Sequence, residues 1–102
     1  MFARLVTIGG RREQLDEFAR IGAEKVLPQL KRQDGFEGSL ILANRRSGEI
    51  VAVTLWENEE AIRVTEGASY WLRAFGAEAA GGEVTGLDRY EVVSSEACRA
   101  QP

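Results

Sequence analysis

Apolar residues fill all but two positions of Glu49-Ile50-Val51-Ala52-Val53-Thr54-Leu55-Trp56. Side chains alternate across a strand, so Val51, Val53 and Leu55 point one way, while Ile50, Ala52, Thr54 and Trp56 point the other. Neither set suits water, and the strand therefore needs a cover on both faces. The helices of so short a chain can cover one face of a small sheet. The simplest cover for the other is a second copy, so the pattern predicts a homodimer.

The same reading places the other elements. Phe2 to Ile8 reads as an opening strand stopped at Gly9-Gly10. From Arg12 to Gln33, Leu15, Phe18, Ala19, Gly22, Val26 and Leu30 recur at helical steps, and Gly35 supplies the C-terminal glycine. Pro28 lies inside that run, which predicts a kink near Lys25. Phe36 to Asn44 reads as a second strand, joined to the third by the polar turn Arg45-Arg46-Ser47-Gly48. Asn58 is placed to cap a short helix with Glu59 and Glu60 in its first turn. A break is expected near Gly67, then a further helix capped by Ser69, with Leu72, Phe75 and Ala79 on one face and Gly81-Gly82 at its end. Glu83 to Val93 alternates as a fourth strand. The order predicts an α+β fold, a ferredoxin-like split β-α-β-β-α-β unit with a four-stranded antiparallel sheet. One domain is expected over residues 1–93, with a polar tail over 94–102.

Composition narrows the function. The chain has 102 residues, 44% of them hydrophobic and 28% charged, and no run approaches the apolar length of a membrane span. Its net charge of -3, with acids and bases interspersed, gives no basic stripe for nucleic acid. The amino terminus lacks the pattern of a secretory signal, and the single cysteine, Cys98, rules out an intrachain disulfide. Both features point to the cytoplasm. There is no histidine, which excludes Ser-His and Cys-His nucleophile pairs, histidine-ligated zinc and a proximal haem histidine. Acid-base work falls to Asp, Glu, Tyr, Lys, Arg or the substrate itself.

Four segments together resemble one family over about residues 2–93: Val26-Leu27-Pro28, Asp34-Gly35-Phe36, Leu55-Trp56-Glu57-Asn58-Glu59-Glu60-Ala61 and Tyr90-Glu91-Val92-Val93. They are similar to the antibiotic biosynthesis monooxygenase (ABM) domains of the dimeric α+β barrel superfamily. That resemblance implies a ferredoxin-like monomer whose sheet pairs with its twin to close a barrel, with a ligand cavity between each sheet and its own helices. It implies oxygenases that need neither metal nor flavin and act on polycyclic phenols through the substrate's own carbanion. Other members degrade haem, and others again bind small molecules or isomerise them.

On that footing the candidate catalytic residues are Asn44, Trp56 and Tyr70. The resemblance implies that Trp56 lines the cavity beside Ala52 and Thr54, whose small side chains leave room for a flat ligand. The alternative for Trp56 is plain core packing. Asn44 is a candidate donor to a substrate carbonyl or enolate, against the alternative of forming its turn. Tyr70 is a candidate for orienting a substrate oxygen rather than taking a proton. Candidate binding residues are Arg4, Ala52, Thr54, Trp71, Phe75 and Asp88, and at most one of Tyr70 and Trp71 can face the cavity squarely. Arg4 and Arg73 suit an anionic substrate, or else pair with surface acids. Asp88 is the carboxylate expected to be partly buried, where it would serve as a base or pair with an arginine across the dimer. Cys98 lies in the tail without a neighbouring base. The function expected is a cofactor-free monooxygenase acting on a flat aromatic or quinol-type molecule; a non-catalytic dimeric binding module is the alternative.

Overall fold

The computed structural model describes residues 1–96; Cys98 and the end of the tail lie outside the described residues. Four strands form one antiparallel sheet: β1 (Phe2–Gly9), β2 (Phe36–Ala43), β3 (Glu49–Trp56) and β4 (Glu83–Glu91), in the order β2-β3-β1-β4. This is the ferredoxin-like α+β arrangement expected from the pattern. The fourth strand stops at Glu91, and Val92 N–H continues the edge only by donating to the Met1 carbonyl at 2.9 Å.

Register confirms the side-chain parity. Phe2, Arg4, Val6 and Ile8 pair with Trp56, Thr54, Ala52 and Ile50, and all lie on the helix-covered face. On the opposite face Val51, Val53 and Leu55 are half-buried, and Leu40 and Leu42 of β2 and Tyr90 of β4 are more than half exposed. Nothing among the described residues covers that face.

The predicted long helix is four pieces: a 3-10 turn (Arg12–Gln14), α1 (Leu15–Ile21), a π-helical turn (Gly22–Val26) and α2 (Leu27–Lys31). Pro28 has no N–H to give to the carbonyl four residues back, and its ring crowds that carbonyl. The chain answers by widening the preceding turn, so that Leu27 N–H donates to the Gly22 carbonyl, five residues back. The expected kink is thus a π-turn.

The expected break between α3 (Glu59–Val64) and α4 (Glu66–Ala79) falls at Thr65, two residues before Gly67. Thr65 donates its hydroxyl to the Ala61 carbonyl at 2.6 Å while its ψ of 5° turns the chain. Gly67 and Ser69 therefore lie inside α4, and Ser69 does not cap it. Asn58 does cap α3, its Oδ1 accepting from Ala61 N–H at 2.9 Å.

The core falls into two clusters. One gathers Val6, Ile8, Leu15, Phe18, Ile50, Ala77 and Ala80; the other gathers Leu30, Trp56, Ala61 and Ile62. Gly35, at φ +86°, joins α2 to β2 so tightly that a Cβ there would stand 2.6 Å from the Ala61 Cβ. Gly22 is the opposite case, with a helical backbone and no atom within 4 Å of an added Cβ. Gly35→Ala is therefore expected to cost about 2 kcal/mol or more, and Gly22→Ala to add about 0.5–1 kcal/mol. Urea unfolding of the two variants checks the contrast.

Candidate functional site

Between the two core clusters, the covered face of the sheet and the helices border a partly open cavity of about 260 Å³. Val6, Ile8, Ser39, Ile41, Ala52 and Thr54 form its sheet wall. Phe18, Ala19, Gly22, Ala23, Val26, Leu27 and Leu30 form the wall made by α1, the π-turn and α2, and Ser69, Leu72, Arg73 and Gly76 the wall made by α4. The small residues Ala52, Gly22 and Gly76 keep the space open. The π-turn lies against it, so the distortion forced by Pro28 shapes the site.

Arg4 and Arg73 are the ionisable residues of the lining. Arg4 points from β1 under the helices, and its side chain is only 3% exposed. Nη1 donates to Ser69 Oγ, and Nη2 donates to the Ile62 carbonyl at 2.8 Å and pairs with Glu66 at 3.2 Å. The guanidinium lies over the Trp56 ring, 5.2 Å from its centroid. This single side chain ties the sheet to the end of α3 and the first turns of α4. Burial pushes its pKa down, the Glu66 carboxylate opposes that, and the charges of Arg73 and Arg89 add to it. A guanidinium stays protonated at neutral pH all the same.

Arg73 shares the same carboxylate, its Nη2 donating to Glu66 Oε1 at 2.6 Å, with a side chain 11% exposed. Its Nη1 is buried and has no hydrogen-bond partner among the described residues. Leaving such a donor unpaired costs about 1–3 kcal/mol. Two cations and one carboxylate make this side of the cavity positive.

Of the expected site residues, the cavity brings together Arg4, Ala52, Thr54 and Arg73. Trp56 is completely buried and stands behind the lining rather than in it. It packs edge-on against Phe36 at 5.5 Å, and Nε1 donates to Thr54 Oγ1 at 2.9 Å. The shift has a simple cause: the last residue of β3 lies under α3 in the second core cluster, past the end of the cavity. Asn44 lies outside β2 and forms the hairpin turn, its Oδ1 accepting from Arg46 N–H at 2.9 Å and Ser47 N–H at 3.2 Å.

Tyr70, Trp71 and Phe75 are 57%, 72% and 42% exposed and line no part of the cavity. The inward face of α4 carries Ser69, Leu72, Arg73 and Gly76, at helical spacing, and the three aromatic rings fall on its outward side. Asp88 is exposed on the other face of β4, not partly buried, and borders a separate surface hollow of about 650 Å³ with Arg4, Arg63, Glu66 and Arg89. Sequence reasoning missed Ser69 and Glu66 as partners of Arg4, and the π-turn as a cavity wall. Only the spacing Glu66-Ser69-Arg73, one helix face, held a signal for the first two.

Arg4→Met should lower stability by about 2–3 kcal/mol, since it strands Ser69 and the Ile62 carbonyl in the interior. The half-exposed Glu66 would contribute little of that loss. Ser69→Ala should cost less, about 1 kcal/mol. Equal urea midpoints for wild type and Arg4→Met would contradict this account.

Comparison with known proteins agrees with the geometry. Solved structures of the same fold include a monooxygenase of Streptomyces coelicolor, ActVA-Orf6, with nanaomycin D bound. It is 20% identical with a TM-score of 0.67, covering 98% of this chain and 92% of that one. The cofactor-independent oxygenase SnoaB of Streptomyces nogalater is 22% identical with a TM-score of 0.59, covering 92% of each chain. The haem degrader MhuD of Mycobacterium tuberculosis, with two haems bound, is 21% identical with a TM-score of 0.68, covering 95% of this chain and all of that one. The uncharacterized proteins Rv2557 and MT2634 of Mycobacterium tuberculosis are 32% identical over 65 residues, 64% of this chain, and the match spans only 29% of their own length. The sequence profile described as antibiotic biosynthesis monooxygenase matches residues 1–77, well over half of the chain. With that match, and with the sheet, the helices and the cavity between them in place, the chain belongs to the antibiotic biosynthesis monooxygenase family.

Proposed function

We propose that this protein is a cofactor-independent monooxygenase acting on a flat aromatic or quinol-type molecule held in the cavity. The observation that carries the proposal is the cavity itself: about 260 Å³, walled by aliphatic and small side chains, with hydroxyls and guanidinium groups gathered on one side. An apolar site with a few convergent polar groups is the usual form of a small-molecule pocket. Thr54, Ser69 and Ser39 are placed to orient substrate oxygens, the part first assigned to Asn44 and Tyr70. Trp56 positions Thr54 through its indole N–H.

The chemistry follows from what the lining contains. No carboxylate, phenol or thiol is among the lining residues, so the substrate must be acidic enough to lose its proton to water. An anthrone-type CH₂ group gives a carbanion, which passes one electron to dioxygen. The radical pair then combines into a carbon-bound peroxide. Protonation, loss of the second carbon-bound proton and cleavage of the O–O bond leave a carbonyl and one water. One CH₂ and one O₂ become one C=O and one H₂O. The positive side of the cavity favours each anion along this path.

The bare sheet face completes the reading as a homodimer interface. Its half-buried Val51, Val53 and Leu55, with exposed Leu40 and Leu42, form an apolar surface of the kind a second sheet covers. The cytoplasmic setting rests on the single cysteine of the sequence, which agrees with a reducing compartment. Among the described residues no helix is long and apolar enough to cross a membrane. A non-catalytic binding module is the second reading, and the lack of a base in the lining favours it.

Oxygen uptake by the metal-free protein, over a panel of anthrones, naphthols and quinols, separates the two readings. Trp56→Ala is a poor control, since emptying so large a buried site costs about 3–5 kcal/mol. Gly22→Leu is better, because it fills open space without displacing an atom near the Cβ, and it should cut uptake by about tenfold or more. Silence of the wild type across the panel would favour the binding module. For the interface, Val53→Glu should convert a species of twice the chain mass into a monomer by light scattering. A wild-type monomer would remove the dimer.

A further inference from the structure

Positive charge at the cavity exceeds what the protein neutralises. Arg4 and Arg73 both reach Glu66, at 3.2 and 2.6 Å, and that carboxylate is 47% exposed while the guanidiniums are 3% and 11% exposed. Water shares the negative partner, whereas the two cations are largely withdrawn from it. Arg4 spends Nη1 and Nη2 on Ser69, the Ile62 carbonyl and Glu66. Arg73 spends Nη2 on Glu66, lies over the Tyr70 ring at 5.9 Å, and keeps Nη1 buried without a hydrogen-bond partner among the described residues. Both arginines line the cavity. A buried donor of this strength, in a site with one uncompensated positive charge, calls for a charged acceptor.

The geometry points to an anion subsite on the Arg4–Glu66–Arg73 side of the cavity, where Arg73 Nη1 donates to the single negatively charged oxygen group of an aromatic acid. The inference rests on the ligand-binding reading of the cavity and adds the class of ligand: a flat apolar body bearing one carboxylate or one ionised phenol. The apolar walls take the ring system, and the arginine side fixes which end enters. Arg4 acts as a positioning residue, holding Glu66 and Ser69. Glu66 limits the site to one added negative charge, since it already neutralises one of the two cations.

The test uses probes that cannot be oxidised in this way, so that it stands apart from oxygen uptake. Calorimetric titration compares 2-naphthoate with the isosteric, neutral 2-naphthamide at one ionic strength. Wild type should bind the naphthoate about tenfold tighter or more, the discrimination expected of a charge-assisted hydrogen bond. In Arg73→Gln the preference should fall to about twofold or less, because the carboxylate loses a charge-assisted hydrogen bond and the amide carbonyl only a weaker one. Glu66→Gln adds a net positive charge, and should instead strengthen naphthoate binding by about threefold or more at low salt. It reads the same subsite if Arg73→Gln fails to fold. A third arm records the absorbance of bound 2-naphthol: a phenol pKa lowered in wild type but not in Arg73→Gln assigns the ionised phenol as well as the carboxylate. Equal affinity for acid and amide, a preference that survives Arg73→Gln, or no saturable naphthoate binding to folded wild type would each overturn the subsite. Oxygen uptake lost while naphthoate selectivity holds would overturn the oxygenase and leave the subsite standing.

Discussion

A buried guanidinium on the first strand organises this molecule. Arg4 sits on the helix-covered face of the sheet, nearly free of water, and can exist there only because α3 and α4 bring it a carbonyl, a hydroxyl and a carboxylate. Withdrawing a cation from water costs far more than a hydrogen bond returns, so those partners must be in place together. The position of the helix pair on the sheet is thereby fixed, and with it the α4 wall of the cavity. Trp56, stacked beneath the guanidinium and bonded to Thr54, extends the same constraint into the third strand.

The cavity is the other side of this arrangement. A small domain gains stability by joining its apolar side chains into one core, yet here they form two clusters with open space between them. Glycine at position 22, where an added Cβ would meet no atom, and alanine at position 52 keep that space clear. The π-turn before Pro28 belongs to the same wall. Three local departures from the tightest packing thus converge on one site, the distribution expected where function opposes stability.

Much of the fold was legible because its signals are local and periodic. The strict parity of Ile50, Ala52, Thr54 and Trp56 against Val51, Val53 and Leu55 specified both faces of β3, and the Asn58 cap located α3 to the residue. The site was less legible because the cavity-facing side of α4 is marked mostly by small and polar residues rather than by an apolar stripe. The residues of α4 that face the cavity are Ser69, Leu72, Arg73 and Gly76, while the larger rings of Tyr70, Trp71 and Phe75 lie outward. Nor does strand parity say how far along β3 the cavity extends: Ala52 and Thr54 line it, while Trp56, on the same face, lies in the core beyond. Asn44 belongs to its turn, which short-range preference already suggested.

The most direct test of the account is where a ligand lands. A ¹⁵N–¹H correlation titration of the full chain with anthrone under nitrogen reports every backbone amide, including those of Gly22, Ser39, Thr54, Ser69 and Gly76 around the cavity. The account predicts shifts centred on those amides, with Arg4 and Arg73 among them and the bare face at Leu40, Leu42 and Tyr90 unmoved. Shifts confined to that bare face, or to the outward rings of Tyr70 and Trp71, would contradict it and show that the space between sheet and helices is not the binding site.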